Sequence, residues 1–385
     1  MDAKLDRCFP SLAHIEKQAL RRLPKFIADY IYCGMGNGAA VKRNREALDA
    51  LQLLPRYSSD PGGVDSGVDF LGRHWLAPFG IAPVGLGSFA WPRAAECLAL
   101  QARHSNIPFC VSSFALASLE DLGTIAGESA WFQLYRPNRA EIESDLVERA
   151  IDAGFQTLMV TVDIPAAMRR SHDIHNGFSI PPRFDWTTLW QVLSHPAWSL
   201  ALAGQCLKQG FPDFASLSPY VPEGLDPVQS MQFKSDLTLG NIDQVAMTRL
   251  RRLWPGKLIV KGVLDPEDAL RYRDWGADAI LVSNHGGRQL EAAPSALQQL
   301  PAMRAALGDD YPLLADGGVR SGIDICRMLA SGADFVLLGR PFYYAIAAMG
   351  APGAAHIIAL LNAELSCAMA QLGCARVIDL RERLH

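Results

Sequence analysis

The chain of 385 residues has no close pairs of cysteines, no strong net charge and no long uninterrupted apolar run. Its eight cysteines are scattered without a CxxC pair, which argues against a metal site and favours free thiols in a reducing compartment. A formal net charge of −4 gives no basic field for nucleic acid. The charged N-terminus and the lack of about 18 consecutive apolar residues argue against a signal peptide and a spanning helix. Since 49% of the residues are hydrophobic, we expect a cytoplasmic globular protein with a large core.

Eight short apolar runs recur along the chain, and most of them are followed by a helical pattern. The runs are nearly continuous rather than alternating, as expected for parallel strands that are covered by helices. Eight such repeats favour an α/β fold in which one domain, residues 1–385, closes into a (β/α)8 TIM barrel; a doubly wound open sheet is the alternative. The predicted strands are residues 77–83, 107–113, 130–135, 157–163, 257–263, 279–285, 313–318 and 335–340.

Two segments lie outside the regular repeat. Residues 1–75 precede the barrel and contain a helical pattern at 11–30, which predicts an N-terminal helical extension. Residues 164–256 separate the fourth and fifth strands, whereas an ordinary connection has roughly 4 to 6 residues plus a helix. Such an insertion is typical of a lid, a subunit interface or a membrane-contact element.

Polar side chains stand at the end of nearly every predicted strand. The C-terminal strand ends of a (β/α)8 barrel carry the active site, and core packing gives no reason for this repeated polarity. The residues concerned are Ser112, Ser113, Gln133, Tyr135, Thr161, Asp163, Lys261, Ser283, His285, Asp316, Gly339 and Arg340.

The loops after the last two strands predict a phosphate site. Residues 316–320 read DGGVR and residues 339–340 read GR, which combines small residues for close backbone approach with two guanidinium groups. Barrel phosphate sites commonly occupy this position. One glycine pair would also suit a tight turn, but two neighbouring Gly-plus-Arg loops favour phosphate binding.

Two ionisable residues at strand ends suggest chemistry. Lys261 lies within an apolar strand, where an unpaired ammonium is costly. It either pairs with a buried carboxylate or stands beside a cofactor on which negative charge develops. His285 ends a strand three residues before Arg288, and Asp163 is available from the fourth strand. An imidazole oriented by a carboxylate is a competent general base, and the arginine can hold an anionic substrate.

These motifs resemble those of a known family. The segments LPKFIADY, TVDIP, VKGV, SNHGGRQLE, ADGGVRSG and LLGRP occur in this order and are similar to the FMN-dependent 2-hydroxy-acid oxidases and dehydrogenases. The match runs from about residue 23 to residue 374, and SNHGGRQ after a strand is its most specific part. The resemblance implies bound FMN, oxidation of an L-2-hydroxy acid to the 2-oxo acid, and a homotetramer.

The resemblance also implies individual roles. His285 takes a proton from the substrate hydroxyl or α-carbon, and Asp163 stabilises the imidazolium. The implied contacts to the substrate carboxylate and hydroxyl are Tyr30, Tyr135, Arg170 and Arg288. The implied FMN contacts are Ala82, Pro83, Val84, Ser112, Gln133, Thr161, Lys261, Ser283, Asp316, Gly317, Gly318, Arg320, Gly339 and Arg340. The implied pocket for the α-substituent, which favours a medium-sized or aromatic acid over glycolate, comprises Leu86, Phe89, Phe114 and Ala167.

The sequence departs from the family pattern at four places. Residues 34–38 read GMGNG, where the family usually has Gly-Ala and then acidic residues, and this leaves the local helix and an oligomer contact open. Val84 stands where many members have Thr. Gly85, instead of Ala, resembles the dehydrogenase branch, which uses acceptors other than oxygen. Glu291 replaces the usual Asp.

Residues 184–214 of the insertion carry three of the eight tryptophans and few charges. They look similar to the membrane-association segment of the mandelate and lactate dehydrogenase branch. Apolar and aromatic helix faces of this kind can lie in a bilayer interface. A lid or a subunit contact is the alternative. We therefore expect a dehydrogenase on the cytoplasmic face of the inner membrane that passes electrons to a quinone or cytochrome.

Two other functions stay open at this point. One is a soluble oxidase that uses oxygen and releases hydrogen peroxide. The other is a repurposed flavoprotein that acts on a peptide or carrier-bound substrate, although the complete set of candidate site residues speaks against it.

Overall fold

The computed structural model describes residues 2–58, 62–166, 170–176, 185–210 and 212–385. A short antiparallel hairpin precedes eight parallel strands, which close into a barrel in chain order, with the last strand paired to the first. The hairpin strands are β1 (Val68–Phe70) and β2 (Arg73–Trp75). The barrel strands are β3 (Phe79–Ile81), β4 (Phe109–Ser112), β5 (Ala130–Leu134), β6 (Thr157–Thr161), β7 (Lys257–Val263), β8 (Ala279–Val282), β9 (Leu313–Asp316) and β10 (Phe335–Leu338).

The closed barrel confirms the predicted fold class and excludes the doubly wound sheet. Every predicted strand contains an observed one, but most predictions ran too far at the C-terminal end. Asp163, His285 and Gly317 belong to the loops that follow β6, β8 and β9. His285 and Gly317 have φ angles of +58° and +101°, which no regular strand can accommodate.

Helices surround the barrel and form the N-terminal extension. In the described part of the chain before the hairpin, the helices are α1 (Ala3–Cys8), α2 (Leu12–Arg22), α3 (Lys25–Tyr32) and α4 (Ala39–Ala50). The insertion contains α8 (Ser171–His175), α9 (Trp186–Ser194), α10 (Pro196–Gln209), α11 (Pro227–Leu237) and α12 (Gln244–Leu253), after α5 (Ala94–His104), α6 (Leu119–Ala126) and α7 (Ala140–Asp152). The later helices are α13 (Pro266–Asp274), α14 (Ala296–Leu307), α15 (Gly322–Ala330), α16 (Arg340–Met349) and α17 (Pro352–Gln371).

The single helical pattern predicted at residues 11–30 is divided between α2 and α3. Pro24 separates the two helices because a proline disfavours the helical conformation of the residue before it. Leu23 is accordingly extended, with a ψ angle of 140°. The break lets α3 turn toward the barrel mouth, where it brings Tyr30 to the cavity described below.

The hairpin packs against aromatic residues at the N-terminal end of the barrel. Phe70 stacks on Phe335 with ring centroids 5.0 Å apart, and Trp75 meets the edge of Trp131 at 6.0 Å. Phe335 and Trp131 stand at the starts of β10 and β5. The hairpin therefore fills the end opposite the predicted site.

One described helix, α17, has the length and hydropathy of a membrane span, but 56% of that stretch is buried inside the molecule. It packs against α15 and α16 in the outer layer of the barrel. Burial of this kind is typical of a core helix, so α17 is weak evidence for a spanning segment.

Two of the departures from the family pattern meet at the start of α4. Glu291 accepts hydrogen bonds from the backbone N–H groups of Asn37 and Ala39 at 2.7 and 3.2 Å, and it thereby caps a helix whose own N-cap is Gly38. A Cβ atom on Gly36 would lie 2.0 Å from a Glu291 carboxylate oxygen. The helix is thus present, and Gly36 makes room for the longer acidic side chain.

Candidate active site

Polar side chains form a layer across the barrel interior at the C-terminal strand ends. Alternate residues of a strand point to the same side, so inward-facing Cys110 and Trp131 are followed two places later by Ser112 and Gln133. Ser112 Oγ donates to Gln133 Oε1 at 3.0 Å, and Gln133 Nε2 donates to Thr161 Oγ1 at 2.9 Å. One half of the layer is therefore a chain of buried hydrogen bonds.

The other half of the layer is centred on Lys261, which is 3% exposed. Its ammonium lies 3.1 Å from the Asp316 carboxylate and donates to Ser283 Oγ at 2.9 Å. Burial alone would lower the pKa of Lys261, but the carboxylates of Asp316 and Asp163 outweigh that effect and raise it. Lys261 is therefore a paired, charged lysine, and it also lines the cavity above the layer.

A cavity of about 580 Å³ lies at the barrel mouth. Its volume falls within the usual range of small-molecule sites, about 300 to 1,000 Å³. Ser112, Gln133, Thr161 and Ser283 are not among the described residues that line it, because they lie within the polar layer. The predicted site residues that do line it are Tyr30, Ala82, Pro83, Val84, Tyr135, Arg170, Lys261, His285, Arg288, Asp316, Gly317, Gly318, Arg320, Gly339 and Arg340.

His285 and Asp163 are in contact at this mouth, although 122 positions separate them in the chain. His285 Nδ1 lies 3.0 Å from both Asp163 carboxylate oxygens, and His285 Nε2 lies 3.3 Å from the Tyr135 hydroxyl. A carboxylate at Nδ1 favours the tautomer with the proton on Nδ1, so the Nε2 lone pair accepts a hydrogen bond from the Tyr135 hydroxyl and can take up a proton in its place. The geometry suits a base that accepts a proton at Nε2.

The charge states of this pair follow from burial and from the neighbouring charges. Burial lowers the pKa of His285 below its ordinary value, and Asp163 offsets this only in part. Burial alone would raise the pKa of Asp163, but the charges of His285 and Lys261 and the hydrogen bond from His285 lower it. At neutral pH the pair is therefore a carboxylate beside a neutral imidazole.

Two guanidinium groups approach the ring of Tyr30 near this pair. The centres of the Arg288 and Arg170 guanidinium groups lie 4.8 and 5.9 Å from the ring centroid. Arg288 Nη1 donates to the backbone carbonyl oxygens of Tyr30 and Cys33, which fixes its position. Burial and the charge of Arg170 lower the pKa of Arg288. A bound carboxylate would relieve this repulsion.

A second cationic region lies at the predicted phosphate loops. Burial, and next the charge of Arg320, lower the pKa of Arg340 to about 9. Arg340 Nη1 donates to the carbonyl oxygen of Gly286 at 2.8 Å. Gly317 and Gly318 have φ angles of +101° and +85°, which favour glycine and permit close approach of the backbone. The arrangement suits a phosphate group.

Gln289 is a cavity residue that sequence reasoning missed. Its side chain is 5% exposed, and neither amide atom has a hydrogen-bond partner among the described residues. Buried amides are rarely left unpaired, so this one calls for a bound molecule. The SNHGGRQLE motif was the available signal. With the cationic region and the glycine loops, these residues fit FMN, which has a phosphate and a polar ribityl chain.

The predicted pocket for a substrate α-substituent is only partly correct. Leu86 and Phe114 line the cavity. The prediction for Phe89 was wrong, because Phe89 is not among the described lining residues. It is the last residue of a short 3-10 turn, its side chain is buried in the core, and its carbonyl oxygen accepts a hydrogen bond from Trp198. Ala167 lies outside the described residues.

The insertion contributes an aromatic wall that sequence reasoning also missed. Phe214 lines the cavity and contacts Phe114 with ring centroids 4.7 Å apart. Met231, on α11, also lines the cavity. An apolar wall of this kind suits a substrate with an apolar substituent. The path of a long insertion cannot be read from hydrophobic periodicity, so no sequence signal pointed to these residues.

The chain is similar to a known family and to known proteins over nearly its whole length. Residues 19–385 match the model of the family described as FMN-dependent dehydrogenase. An L-lactate dehydrogenase of Xanthobacter autotrophicus is 37% identical over 96% of this chain and 94% of its own length. An (S)-mandelate dehydrogenase of Pseudomonas putida is 35% identical over 94% of this chain and 89% of its own.

A solved structure gives the same relationship. The crystal structure of the monotopic membrane protein (S)-mandelate dehydrogenase superposes with a TM-score of 0.91 and 34% identity, and the match covers 97% of this chain and 98% of that one. At this coverage the likeness extends over nearly the whole length of both chains.

The unpaired side-chain amide of Gln289 can be tested without a substrate. In Gln289→Leu, we expect FMN to bind about fivefold to tenfold more weakly, because a hydrogen bond is worth about 1 kcal/mol. The apoprotein should be as stable as the wild type or more stable, because a buried unpaired amide is removed. Quenching of flavin fluorescence gives the dissociation constant, and urea unfolding gives the stability.

The matched control is Gln371→Leu, at an exposed position on α17. It should leave FMN affinity unchanged. If Gln289→Leu binds FMN as tightly as the wild type does, Gln289 has no part in holding the cofactor.

Proposed function

The chain belongs to the FMN-dependent dehydrogenase family, and from this premise we propose that it oxidises an L-2-hydroxy acid to the 2-oxo acid. The observation that carries the proposal is that His285, paired with Asp163, lines the same cavity as Arg170 and Arg288. A neutral imidazole takes up a proton, and two guanidinium groups bind a carboxylate. A 2-hydroxy acid has both groups on adjacent carbons.

In the proposed reaction, bound FMN would accept the two electrons that leave the substrate together with one of its two protons. His285 Nε2 receives a substrate proton, and Asp163 stabilises the imidazolium through Nδ1. Arg170 and Arg288 would hold the carboxylate, and so would the Tyr30 hydroxyl, which exchanges its hydrogen bond to the Gly85 carbonyl oxygen for one to the substrate. The Tyr135 hydroxyl lies beside Nε2 and is placed to hydrogen-bond the substrate hydroxyl.

The same proposal assigns the cofactor contacts. Arg320, Arg340, Gly339 and the 317–318 glycine pair would hold the phosphate, and Lys261 would face the ring edge on which negative charge develops. The backbone of residues 82–84 lines the cavity, as a contact to the flavin ring requires. Ser112, Gln133, Thr161 and Ser283 lie in the layer beneath and would support the ring or its neighbours. Asp316 would keep Lys261 charged.

The wall of the cavity bears on the substrate class. Phe114, Phe214 and Leu86 present apolar surface, which favours an aliphatic or aromatic 2-hydroxy acid over glycolate. The relatives include one that is named for L-lactate and one that is named for (S)-mandelate. Both are consistent with such a wall.

We also propose that the α9–α10 hairpin contacts a membrane and that the electron acceptor is a membrane quinone. Trp186 and Trp190 on α9 are 86% and 71% exposed, and Leu207 on α10 is 89% exposed. An aromatic and aliphatic face of this kind suits a bilayer interface. The solved relative described as monotopic supports this assignment.

The α9–α10 hairpin is attached to helix α3, which carries Tyr30. The Gln191 side chain accepts a hydrogen bond from the backbone N–H of Phe26 at 3.0 Å, and Trp198 packs edge-on against the Phe26 ring. A membrane site at the cytoplasmic face of the inner membrane would thus lie near the barrel mouth. Residues 184 and 211 of the predicted segment 184–214 lie outside the described residues, and a homotetramer stays a prediction.

Gly85 supports an acceptor other than oxygen. A Cβ atom at this position would lie 3.0 Å from the Cβ of Phe114, so the aromatic wall favours glycine here. Glycine at position 85 is a feature in which this chain resembles the dehydrogenase branch. The oxygen-using oxidase stays the second candidate.

A substrate panel tests the proposed function directly. Under anaerobic conditions, L-lactate, L-mandelate and their D-isomers are mixed with the FMN-loaded protein, and bleaching of the flavin absorbance is followed. We expect the L-isomers to bleach the flavin. His285→Ala should slow bleaching about 100-fold or more, because the proton acceptor is lost.

Two results would change the assignment. If no 2-hydroxy acid bleaches the flavin, the substrate class is wrong. If the reduced protein reoxidises rapidly in air with release of hydrogen peroxide, the oxidase replaces the dehydrogenase.

The pH dependence of flavin reduction tests the His285–Asp163 pair. The wild-type rate should fall as the pH drops through the pKa of His285, which lies below its ordinary value of 6.5, because a protonated imidazole cannot accept a proton. Asp163→Asn removes a carboxylate that raises this pKa. The acidic limb should therefore move to lower pH, and the plateau rate should fall about 100-fold.

An exposed aspartate–histidine pair supplies the control for this series. Asp69 lies 3.0 Å from His74 and is 89% exposed, so Asp69→Asn should leave the profile unchanged. The assigned pairing is contradicted if the acidic limb of the pH–rate profile stays in place or moves to higher pH in Asp163→Asn.

Binding to lipid vesicles tests whether the α9–α10 hairpin contacts a membrane. The double variant Trp186→Ser, Trp190→Ser should partition about tenfold less onto phosphatidylethanolamine–phosphatidylglycerol vesicles, because two interfacial aromatic anchors are removed. Val245→Ser, at a 77% exposed position on α12, is the control and should bind as the wild type does. Equal sedimentation of the double variant and the wild type with vesicles would rule out this surface.

A further inference from the structure

Helix α4 of the N-terminal extension contacts two loops of the barrel mouth. Arg43 donates to the carbonyl oxygens of Glu291 and Ala293, which follow the His285 loop, at 3.1 and 2.6 Å. Arg45 donates to the carbonyl oxygen of Gly318 at 2.7 Å. Asn44, between these two arginines, is 1% exposed.

Asn44 forms a reciprocal amide pair with Asn284, the residue before His285. Asn44 Nδ2 donates to Asn284 Oδ1 at 2.9 Å, and Asn284 Nδ2 donates to Asn44 Oδ1 at 2.7 Å. Asn284 Oδ1 also accepts from the backbone N–H of Gly287 at 3.1 Å, and Asn284 Nδ2 donates to the carbonyl oxygen of Pro294 at 3.0 Å. Both amides are buried, and the described hydrogen bonds of the Asn44 amide are those to Asn284.

The loop that this pair holds has an uncommon backbone. His285, Gly286 and Gly287 have φ angles of +58°, +64° and +78°, three consecutive residues in the left-handed region. The two glycines adopt it freely, but a histidine does so only when its surroundings fix it. The Asn284 amide spans the turn, from residue 284 to the N–H of Gly287, and is itself held by Asn44.

The glycine loop rests on the same side chain. A Cβ atom on Gly318 would lie 3.0 Å from the Cβ and the carbonyl oxygen of Asn44, and one on Gly317 would lie 3.4 Å from its Nδ2. Asn44 therefore touches the loop that carries the proposed base and the loop that carries the proposed phosphate contacts.

We propose that Asn44 is a positioning residue that sets the His285 loop and the 317–318 glycine loop relative to each other. It acts through Asn284 on the imidazole and through backbone contact on the glycines, and it lies outside the cavity lining among the described residues. The effect on the reaction rate rests on the proposed function, whereas the effect on FMN affinity does not.

The test uses full-length, FMN-loaded Asn44→Asp and Asn44→Ala. Asp keeps the side-chain shape but places an oxygen against Asn284 Oδ1, and Ala removes the pair. We expect the rate constant of anaerobic flavin reduction at saturating substrate to fall at least about tenfold in both variants. The FMN dissociation constant should rise about tenfold, because the glycine loop loses its support.

A double-variant cycle separates positioning from other effects. If the amide pair is the route, Asn44→Ala combined with Asn284→Ala should reduce the rate little more than Asn284→Ala alone. Additive losses would show that Asn44 acts in another way and would overturn the proposal.

Leu48→Ala provides the stability control, because Leu48 is a buried residue on the same helix. It should lower the melting temperature but leave both the reduction rate and the FMN affinity unchanged. If Leu48→Ala reproduces the losses of Asn44→Ala, or if the Asn44 variants change only the melting temperature, Asn44 is merely structural.

The two proposals fail in distinguishable ways. If no 2-hydroxy acid reduces the wild-type flavin, the proposed function is wrong, and the FMN dissociation constants still decide the role of Asn44. If the wild type is reduced and the Asn44 variants match it in rate and in FMN affinity, only the positioning role is wrong.

Discussion

The ion pair between Lys261 and Asp316 is the constraint around which the barrel mouth is organised. A lysine ammonium inside a barrel has lost its hydration, and only a carboxylate with further hydrogen bonds can keep it charged. Ser283 completes the arrangement: its hydroxyl accepts a hydrogen bond from Lys261 and donates one to Asp316. The same hydroxyl accepts from the backbone N–H of His285 at 2.9 Å. The charge pair in the barrel interior therefore also anchors the backbone of the proposed base.

The cavity above this pair is rich in cations. Arg288 and Arg340 are half-buried there, next to Arg170 and Arg320, and their nearest described partners include backbone carbonyl oxygens. Burial and the neighbouring arginines lower the pKa of both residues, and a bound anion would counter that repulsion. Two separate cationic regions match a substrate carboxylate at one end and a cofactor phosphate at the other.

The sequence predicted the parts of this site that depend on local pattern. Apolar runs located all eight barrel strands, and the polar residues after them identified His285 and Asp163 before any contact between them was known. Predicted strands ran too far where a left-handed backbone ends the run, as at His285 and Gly317. A residue type alone does not reveal a positive φ angle unless the residue is glycine.

The parts that the sequence did not predict depend on how distant segments meet. Phe214 reaches the cavity from the long insertion, and Asn44 reaches the mouth from a helix that precedes the barrel. Neither segment has a periodicity that encodes its direction. The prediction for Phe89 was wrong for the opposite reason. Phe89 closely follows a barrel strand in the sequence, but it ends a single 3-10 turn that places its side chain in the core.

Contact between Gly36 and Glu291 limits how this chain can diverge. The carboxylate fills the space where a side chain at position 36 would begin, and it supplies the acceptor that the first turn of α4 needs. A larger residue at 36 is tolerated only after 291 has become shorter, so the order in which the two substitutions arise matters. Homologues are therefore expected to carry these two residues as a linked pair, and either one transplanted alone into a relative would disturb the helix that carries Asn44.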